Sequence, residues 1–277
     1  MKITALVENT TNKPNVGAEH GLSLLIESDN KVLLFDTGAS DLFAKNALAL
    51  EEDLSRVDFA VLSHGHHDHG GGLSTFFSLN TKAPLYVRKE AFGPYYSQRS
   101  DGQFRYIGLE QSLLGSNRLI FTSAFTPITE GFSLFSKVEG KQFVPMGNQS
   151  LYKQEEQTFL LDSFTHEQYL VVEEKGKTVL VSGCSHRGVV NILRTFQTRY
   201  GRNPDLVIGG FHLYDHSSGE REDANTLNSI ADILLESGAL YVTCHCTGEE
   251  NYLFLKNLMG EHISYLHGGD VLQEVYA

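Results

Sequence analysis

The sequence has no Lys/Arg-rich run, no apolar stretch approaching the roughly 20 residues that span a bilayer, and only three cysteines, Cys184, Cys244 and Cys246. Each shortage closes a class of function. A net charge of −12 and a pI near 5.4 describe a surface that repels phosphate backbones, so no nucleic-acid partner is expected. No membrane span is expected. The apolar run at the N-terminus is too short for a signal-peptide core and carries no cleavage-site pattern, so the chain reads as soluble and cytoplasmic. An odd, small number of cysteines argues for reduced thiols rather than a disulfide framework.

What is present is an ordinary globular composition with one anomaly. The 277 residues are 41% hydrophobic and 20% charged, enough for a large core and for one large domain or two small ones. Histidine is the anomaly: there are 12, and His64, His66, His67 and His69 fall within six residues.

Apolar patterning predicts strands over 2–8, 22–28 and 31–36, with a tight turn at Asp29-Asn30. Ser40 is placed to cap a helix over about 41–54, with Leu42, Phe43, Ala47, Leu50 and Leu54 on its apolar face. A short buried strand over 58–62 leads into the histidines, and 84–88 reads as another strand. Periodicity weakens over about 91–156, where Phe92, Tyr95, Tyr96, Phe104 and Tyr106 make the chain dense in rings. That stretch reads either as an insertion or lid or as ordinary loops packed on a sheet. Beyond it a hairpin is expected around Lys175-Gly176, then helices over 188–200, 222–236 and 249–259 alternating with strands over 205–209, 240–244 and 263–266. Two mixed sheets with helices on their outer faces fit this order.

The histidine cluster reads Ser63-His64-Gly65-His66-His67-Asp68-His69, followed by Gly70, Gly71 and Gly72. His64 and His66, two apart in an extended loop, can point to the same side. A turn into a helix would swing Asp68 and His69 across from them. Imidazole and carboxylate suit Zn²⁺, Fe²⁺ or Mn²⁺, and the glycines give the backbone freedom that close folding needs. A lone histidine on an apolar face would be structural. Four histidines and an aspartate between a strand and a glycine run have little structural use, so the segment is expected to bind metal.

His-x-His-x-Asp-His after a short apolar strand resembles the metallo-β-lactamase superfamily. The resemblance implies an α/β fold, a four-layer αβ/βα sandwich, in a single domain over 1–277. It also implies a mono- or dinuclear metal site at one edge of the two sheets, here expected to hold two divalent transition-metal ions, zinc first, with iron or manganese as alternatives. His64 and His66 would belong to one ion, Asp68 and His69 to the other, and His67 to neither. Leu33-Leu34-Phe35-Asp36-Thr37-Gly38 is similar to the family's early Asp-Thr-Gly element, where the aspartate orients a metal-binding loop. The plain alternative for Asp36 is a strand-to-turn aspartate.

Three later strand ends compete to supply the remaining ligands: Gly183-Cys184-Ser185-His186, Gly210-Phe211-His212 and Cys244-His245-Cys246. Open α/β sheets put their sites at carboxyl ends of strands, so all three could converge. His186 and His245 are expected as metal ligands. His212 is expected as a ligand, or as a proton donor and phosphate binder. His20 lines the site or makes a structural hydrogen bond. His166, His216, His262 and His267 have no motif support and read as surface or satisfied side chains. Cys244 and Cys246 read as core thiols facing away from His245. Cys184 stands near the position where the family commonly has a bridging aspartate, a departure that puts that bridge in doubt.

With Glu19-His20-Gly21-Leu22-Ser23, these later motifs resemble the branch of dihydropterin–ribofuranosylaminobenzene-phosphate synthase-like proteins, most of which are simply called metal-dependent hydrolases. Its named member joins a dihydropterin methyl diphosphate to an aryl amine. The expected chemistry is hydrolysis of a phosphoester or diphosphate linkage in a small molecule, phosphorylated and aromatic. A metal-activated hydroxide held by Asp68 would attack, and His212 would protonate the leaving group. The alternatives are a synthase that displaces diphosphate with an amine, and a non-catalytic metal- or ligand-binding module.

Overall fold

Alternation along the early strands decides the layering. In the computed structural model, which describes residues 1–28 and 31–273, Leu24, Ile26, Leu33 and Phe35 turn toward a second sheet, while Leu25 and Leu34 turn toward outer helices. Both faces of these strands are covered, so they read as nearly continuous apolar runs rather than as a polar–apolar alternation. The turn expected at Asp29-Asn30 lies outside the described residues.

Among the described residues there are two seven-stranded sheets and one of four strands. The first runs in spatial order Val271–Gln273, Lys2–Val7, Ser23–Glu27, Val32–Phe35, Phe59–Val61, Leu85–Val87 and Leu119–Phe121. Pairing is antiparallel up to Val32–Phe35 and parallel beyond it. The second repeats the scheme: Ile263–Tyr265, Leu240–Thr243, Leu206–Gly209 and Lys177–Val181 are parallel, followed by antiparallel Gln168–Glu174, Phe132–Ser136 and Phe125–Thr129. Phe35, Phe59, Val61, Leu134, Val181 and Ile208 meet in the core between the sheets. Helices Leu42–Ala49 and Leu73–Leu79 cover the outer face of the first sheet through Phe43, Ala47, Leu73 and Phe76. Helices Val189–Tyr200, Ala224–Glu236 and Glu249–Met259 cover the second. The result is a four-layer αβ/βα sandwich.

The helix expected over 41–54 stops at Ala49. Three acids in a row, Glu51, Glu52 and Asp53, oppose the negative end of the helix dipole. Asp53 instead accepts from the Ser55 N–H and starts a separate turn, Leu54–Arg56. Asp41, rather than Ser40, occupies the cap position and makes no side-chain cap bond; the Ser40 hydroxyl accepts from Leu42 N–H.

The irregular stretch over 91–156 is divided among three sheets. Leu119–Phe121 edges the first core sheet, and Phe125–Thr129 and Phe132–Ser136 belong to the second. Tyr95–Gln98, Phe104–Tyr106 and Leu151–Glu155 form a small antiparallel sheet with Thr158–Leu161 just beyond the stretch, in spatial order Thr158–Leu161, Leu151–Glu155, Tyr95–Gln98 and Phe104–Tyr106. Its rings pack on one another: Phe104 and Phe159 stack with centroids 3.9 Å apart, and Tyr96 meets both Tyr106 and Phe159 edge-on.

Candidate metal centre

Four strand ends deliver the site, all at carboxyl termini of parallel strands. Phe59–Val61 runs into His64–His69, Lys177–Val181 into Cys184 and His186, Leu206–Gly209 into His212, and Leu240–Thr243 into His245. The chain turns sharply at these points. Asp36, Ser185, His212 and His245 all adopt left-handed φ, between 50° and 60°. Non-glycine residues hold such angles only where the surroundings over-determine them, and they gather at functional sites. Gly65 has a steric reason to be glycine, because a Cβ there would lie 2.2 Å from the Ala91 carbonyl oxygen.

The side chains form two groups around Cys184. In the first, Asp68, His69, Cys184 and His245 each offer one atom within a common 4.8 Å. His69 Nε2 lies 3.0 Å from Cys184 Sγ and 3.2 Å from His245 Nε2, and Asp68 Oδ2 lies 3.3 Å from His245 Nε2. The second group is His64, His186 and Cys184, with His66 Nδ1 3.1 Å from His64 Nε2. The His186 ring centroid is 4.9 Å from those of both His64 and His66. All of these except Asp68 are buried.

The opposite ring nitrogens are already committed. His69 Nδ1–H donates to Asp36 Oδ2 at 2.6 Å, and His64 Nδ1–H to Ser63 Oγ, which itself donates to Asp36. His186 Nδ1–H donates to Asn148 Oδ1, and His245 Nδ1–H to Asn9 Oδ1. Each oxygen partner fixes one tautomer and leaves the Nε2 lone pair facing inward, the arrangement that carboxylates and amides impose on metal-binding imidazoles. His186 Nε2 is buried with no hydrogen-bond partner among the described residues. A buried nitrogen left so is costly unless something else satisfies it. The donor set of imidazole, carboxylate and thiolate therefore fits a divalent transition metal.

The electrostatics agree with that assignment. Burial, reinforced by the neighbouring imidazoles, holds His64 and His186 well below the usual histidine range, so both stay neutral and able to ligate. His69 goes the other way. Burial opposes its charge, but the Asp36 and Asp68 carboxylates outweigh that and raise it to about 9. The field that attracts a proton there attracts a cation equally well.

His64, His66, Asp68, His69, His186 and His245, expected from sequence as ligands, are thus brought together. His67 lies outside both groups. His212 faces the cleft beside His186, ring centroids 4.2 Å apart, and neither of its nitrogens has a partner among the described residues. His20 Nε2 lies 3.3 Å from Asp68 Oδ2, and its ring stacks on His216. Asp36 accepts from Ser63 N–H, Ser63 Oγ and His69 Nδ1–H, so it ties the end of one strand to the histidine loop.

Cys244 is in the inter-sheet core as expected, but Cys246 is not a core thiol. It lines the cleft with Cys184 and His212. Strand alternation does not reach it because the strand ends at Thr243 and His245–Thr247 forms a tight 3₁₀ turn. Sequence reasoning also missed Asn9, Asn148 and Asp162, single polar residues with no local pattern to mark them. Asp162 Oδ2 accepts from His166 Nε2–H at 2.9 Å and lies 3.9 Å from His66 Nε2; His166 Nδ1 accepts from Gly65 N–H. His166 is therefore a satisfied buried histidine that clamps the His64–His69 loop.

The groups open on a cleft of about 240 Å³. Ser97, Arg99, Ile107 and Leu151 of the small sheet and its loops line one side, and Tyr214, Asp215, His216 and Ser217 another. The rings of the 91–156 stretch mostly pack on each other, leaving Tyr214 and the imidazoles as the flat groups facing the cleft.

Residues 16–138 match the sequence model of the metallo-beta-lactamase superfamily. The crystal structure of Tm1679, a metal-dependent hydrolase of the beta-lactamase superfamily, superposes with a TM-score of 0.82 at 32% identity, covering 99% of this chain and 98% of that one. An uncharacterized protein of Methanocaldococcus jannaschii is 29% identical over 98% of this chain and 99% of its own. The same organism's 7,8-dihydropterin-6-methyl-4-(beta-D-ribofuranosyl)-aminobenzene-5'-phosphate synthase is 28% identical over 92% of this chain and 90% of its own.

Proposed function

The chain belongs to the metallo-β-lactamase superfamily, and from that premise we propose that it is a metal-dependent hydrolase acting on a phosphoester or diphosphate linkage of a small molecule. The observation that carries this reading is the convergence of Nε2 atoms whose opposite ring nitrogens are bonded to Asp36, Ser63, Asn148 and Asn9. His64 and His186, with His66 beside both, would hold one divalent ion, and Asp68, His69 and His245 a second, with Cys184 between them. Such ions, when bound, lower the pKa of water toward neutrality and polarise a phosphoryl or carbonyl oxygen.

The chain's own groups supply the rest. Asp68 Oδ2 faces His245, His69 and His20 at the floor of the cleft, where it can accept a proton from an attacking water and hold that water in line. His212 borders the same cleft with both nitrogens unpaired among the described residues, placed to donate a proton to a leaving oxygen. Arg99 lines the cleft, and its buried Nε also lacks a partner among the described residues, which suits a phosphoryl oxygen. The stacked rings of His20 and His216, with Tyr214, offer a platform for a flat substrate.

Metal-stripped and zinc- or manganese-reconstituted protein should be assayed on mono- and diesters of p-nitrophenyl phosphate and on nucleoside diphosphates. Turnover is expected only after reconstitution, with Asp68→Asn reducing kcat by at least about 10²-fold while the circular-dichroism spectrum is retained. Undiminished turnover by stripped protein would sink the proposal.

Similarity over most of the chain to the pterin-pathway synthase favours a second reading, in which an amine displaces diphosphate at the same centre. Product analysis with and without an aryl amine separates the two: a C–N-coupled product that forms only with the amine replaces hydrolysis as the assignment.

A further inference from the structure

We propose that Cys184, Cys246 and His212 form a third cation position beside the two imidazole-rich groups, one that takes a thiophilic divalent ion such as Zn²⁺. Both sulfurs and one ring nitrogen lie within 4.8 Å of one another. Tetrahedral ligands at the ordinary Zn–S distance of about 2.3 Å stand roughly 3.8 Å apart, so closing the set around an ion needs only small side-chain movements. Both cysteines are at least 96% buried, at 3% and 4% exposure, which keeps bulk water from competing for the sulfurs.

The chain makes room for this trio. A Cβ on Gly210 would lie 2.4 Å from Cys246 Sγ, and one on Gly147 would lie 3.1 Å from His212 Nε2. Left-handed backbone at His212 and His245 turns His212 and Cys246 into the cleft where regular strand geometry would carry them past it. Neither His212 nitrogen has a hydrogen-bond partner among the described residues, so one can ligate while the other faces the cleft. Cys246 Sγ makes a long contact, 3.6 Å, to the Cys184 carbonyl. Cys184 is shared with both imidazole-rich groups, so binding at this position displaces the Cys246 thiol proton to solvent, and the Cys184 proton only where the neighbouring positions are empty, and forms two sulfur–metal bonds with no change of oxidation state. Soft sulfur ligands select zinc or cobalt over manganese and magnesium, so this position would differ in selectivity from a site of imidazole and carboxylate alone.

The test is a Co²⁺ titration of the full chain after chelator stripping, followed by absorbance. Wild-type protein is expected to bind three equivalents, with thiolate-to-cobalt absorption in the near-ultraviolet. Cys246→Ser and His212→Ala are each expected to lose one equivalent, and Cys246→Ser to lose part of the near-ultraviolet band. Two variants are used because the thiol is buried; thermal unfolding of each shows which is folded, and either alone decides. A wild-type stoichiometry of two, or an unchanged band in Cys246→Ser, overturns the third position while leaving the hydrolytic reading intact, because neither result removes the two imidazole-rich groups.

Discussion

At the scale of single residues, the centre depends on how each imidazole is held by its far nitrogen. Asn9 and Asn148 do this for His245 and His186 through hydrogen bonds of 2.8 and 2.9 Å. Asn9→Ala and Asn148→Ala should each weaken metal binding by about 10–100-fold, measured by competition with a chromophoric chelator, with little change in thermal stability of the stripped protein. Equal affinity in wild type and both variants would show that these amides do not orient ligands. His64, His66, Asp68 and His69 were legible in the sequence because four candidate ligands, three histidines and one aspartate, crowd into one local spacing. The two asparagines were not, since a lone amide looks the same whether or not a distant histidine, 236 residues on for Asn9 and 38 for Asn148, turns toward it. Cys246 misled for a related reason: alternation is a property of a strand, and the strand stops before it.

At the scale of elements, the later helices carried their own punctuation. Val189–Tyr200 ends at Gly201 with φ +67°, and Ala224–Glu236 begins at Asp223, whose carboxylate accepts from Asn225 and Thr226 N–H. The Thr226 hydroxyl and backbone bonds hold the Asp223 carboxyl below its ordinary range. A lowered carboxyl pKa contributes stability that is fully present above the unfolded value of 3.8 and is lost as pH falls through the lower folded one. Asp223→Ala should therefore lower the thermal midpoint by roughly 2–4 °C at pH 7, and the difference should shrink in acid. A difference that persists unchanged at pH 2 would contradict this account. The small four-stranded sheet was illegible because its strands are short and pair out of sequence order, with Leu151–Glu155 lying against Tyr95–Gln98 across more than 50 residues. The helix Leu73–Leu79 was hidden behind the glycine run that precedes it.

At the scale of the molecule, two sheets close on one another and bring their carboxyl ends to a common edge. Phe35 is fully buried between them, so Phe35→Ala should cost about 3–5 kcal/mol in urea unfolding; a cost under about 1 kcal/mol would mean that the two sheets repack without it. The candidate ligands come from both halves, with His69 and His245 meeting across 176 residues. Ions that bind only the closed sandwich should therefore stabilise it by mass action: about 2.7 kcal/mol at a free concentration one hundred times Kd, read as a rise in the midpoint of stripped protein on adding Zn²⁺. No such rise at saturating zinc would mean that the halves are not joined through metal. The sequence by itself determined the two-sheet α/β plan and the histidine loop, because apolar periodicity and ligand spacing are local and survive in a linear string. Only the tertiary structure decided which later histidines meet that loop, that Cys184 sits between the two groups, and that Cys246 turns into the cleft. Those facts depend on how distant strand ends are registered against one another, and registry is set by packing of the whole core rather than by any segment of it.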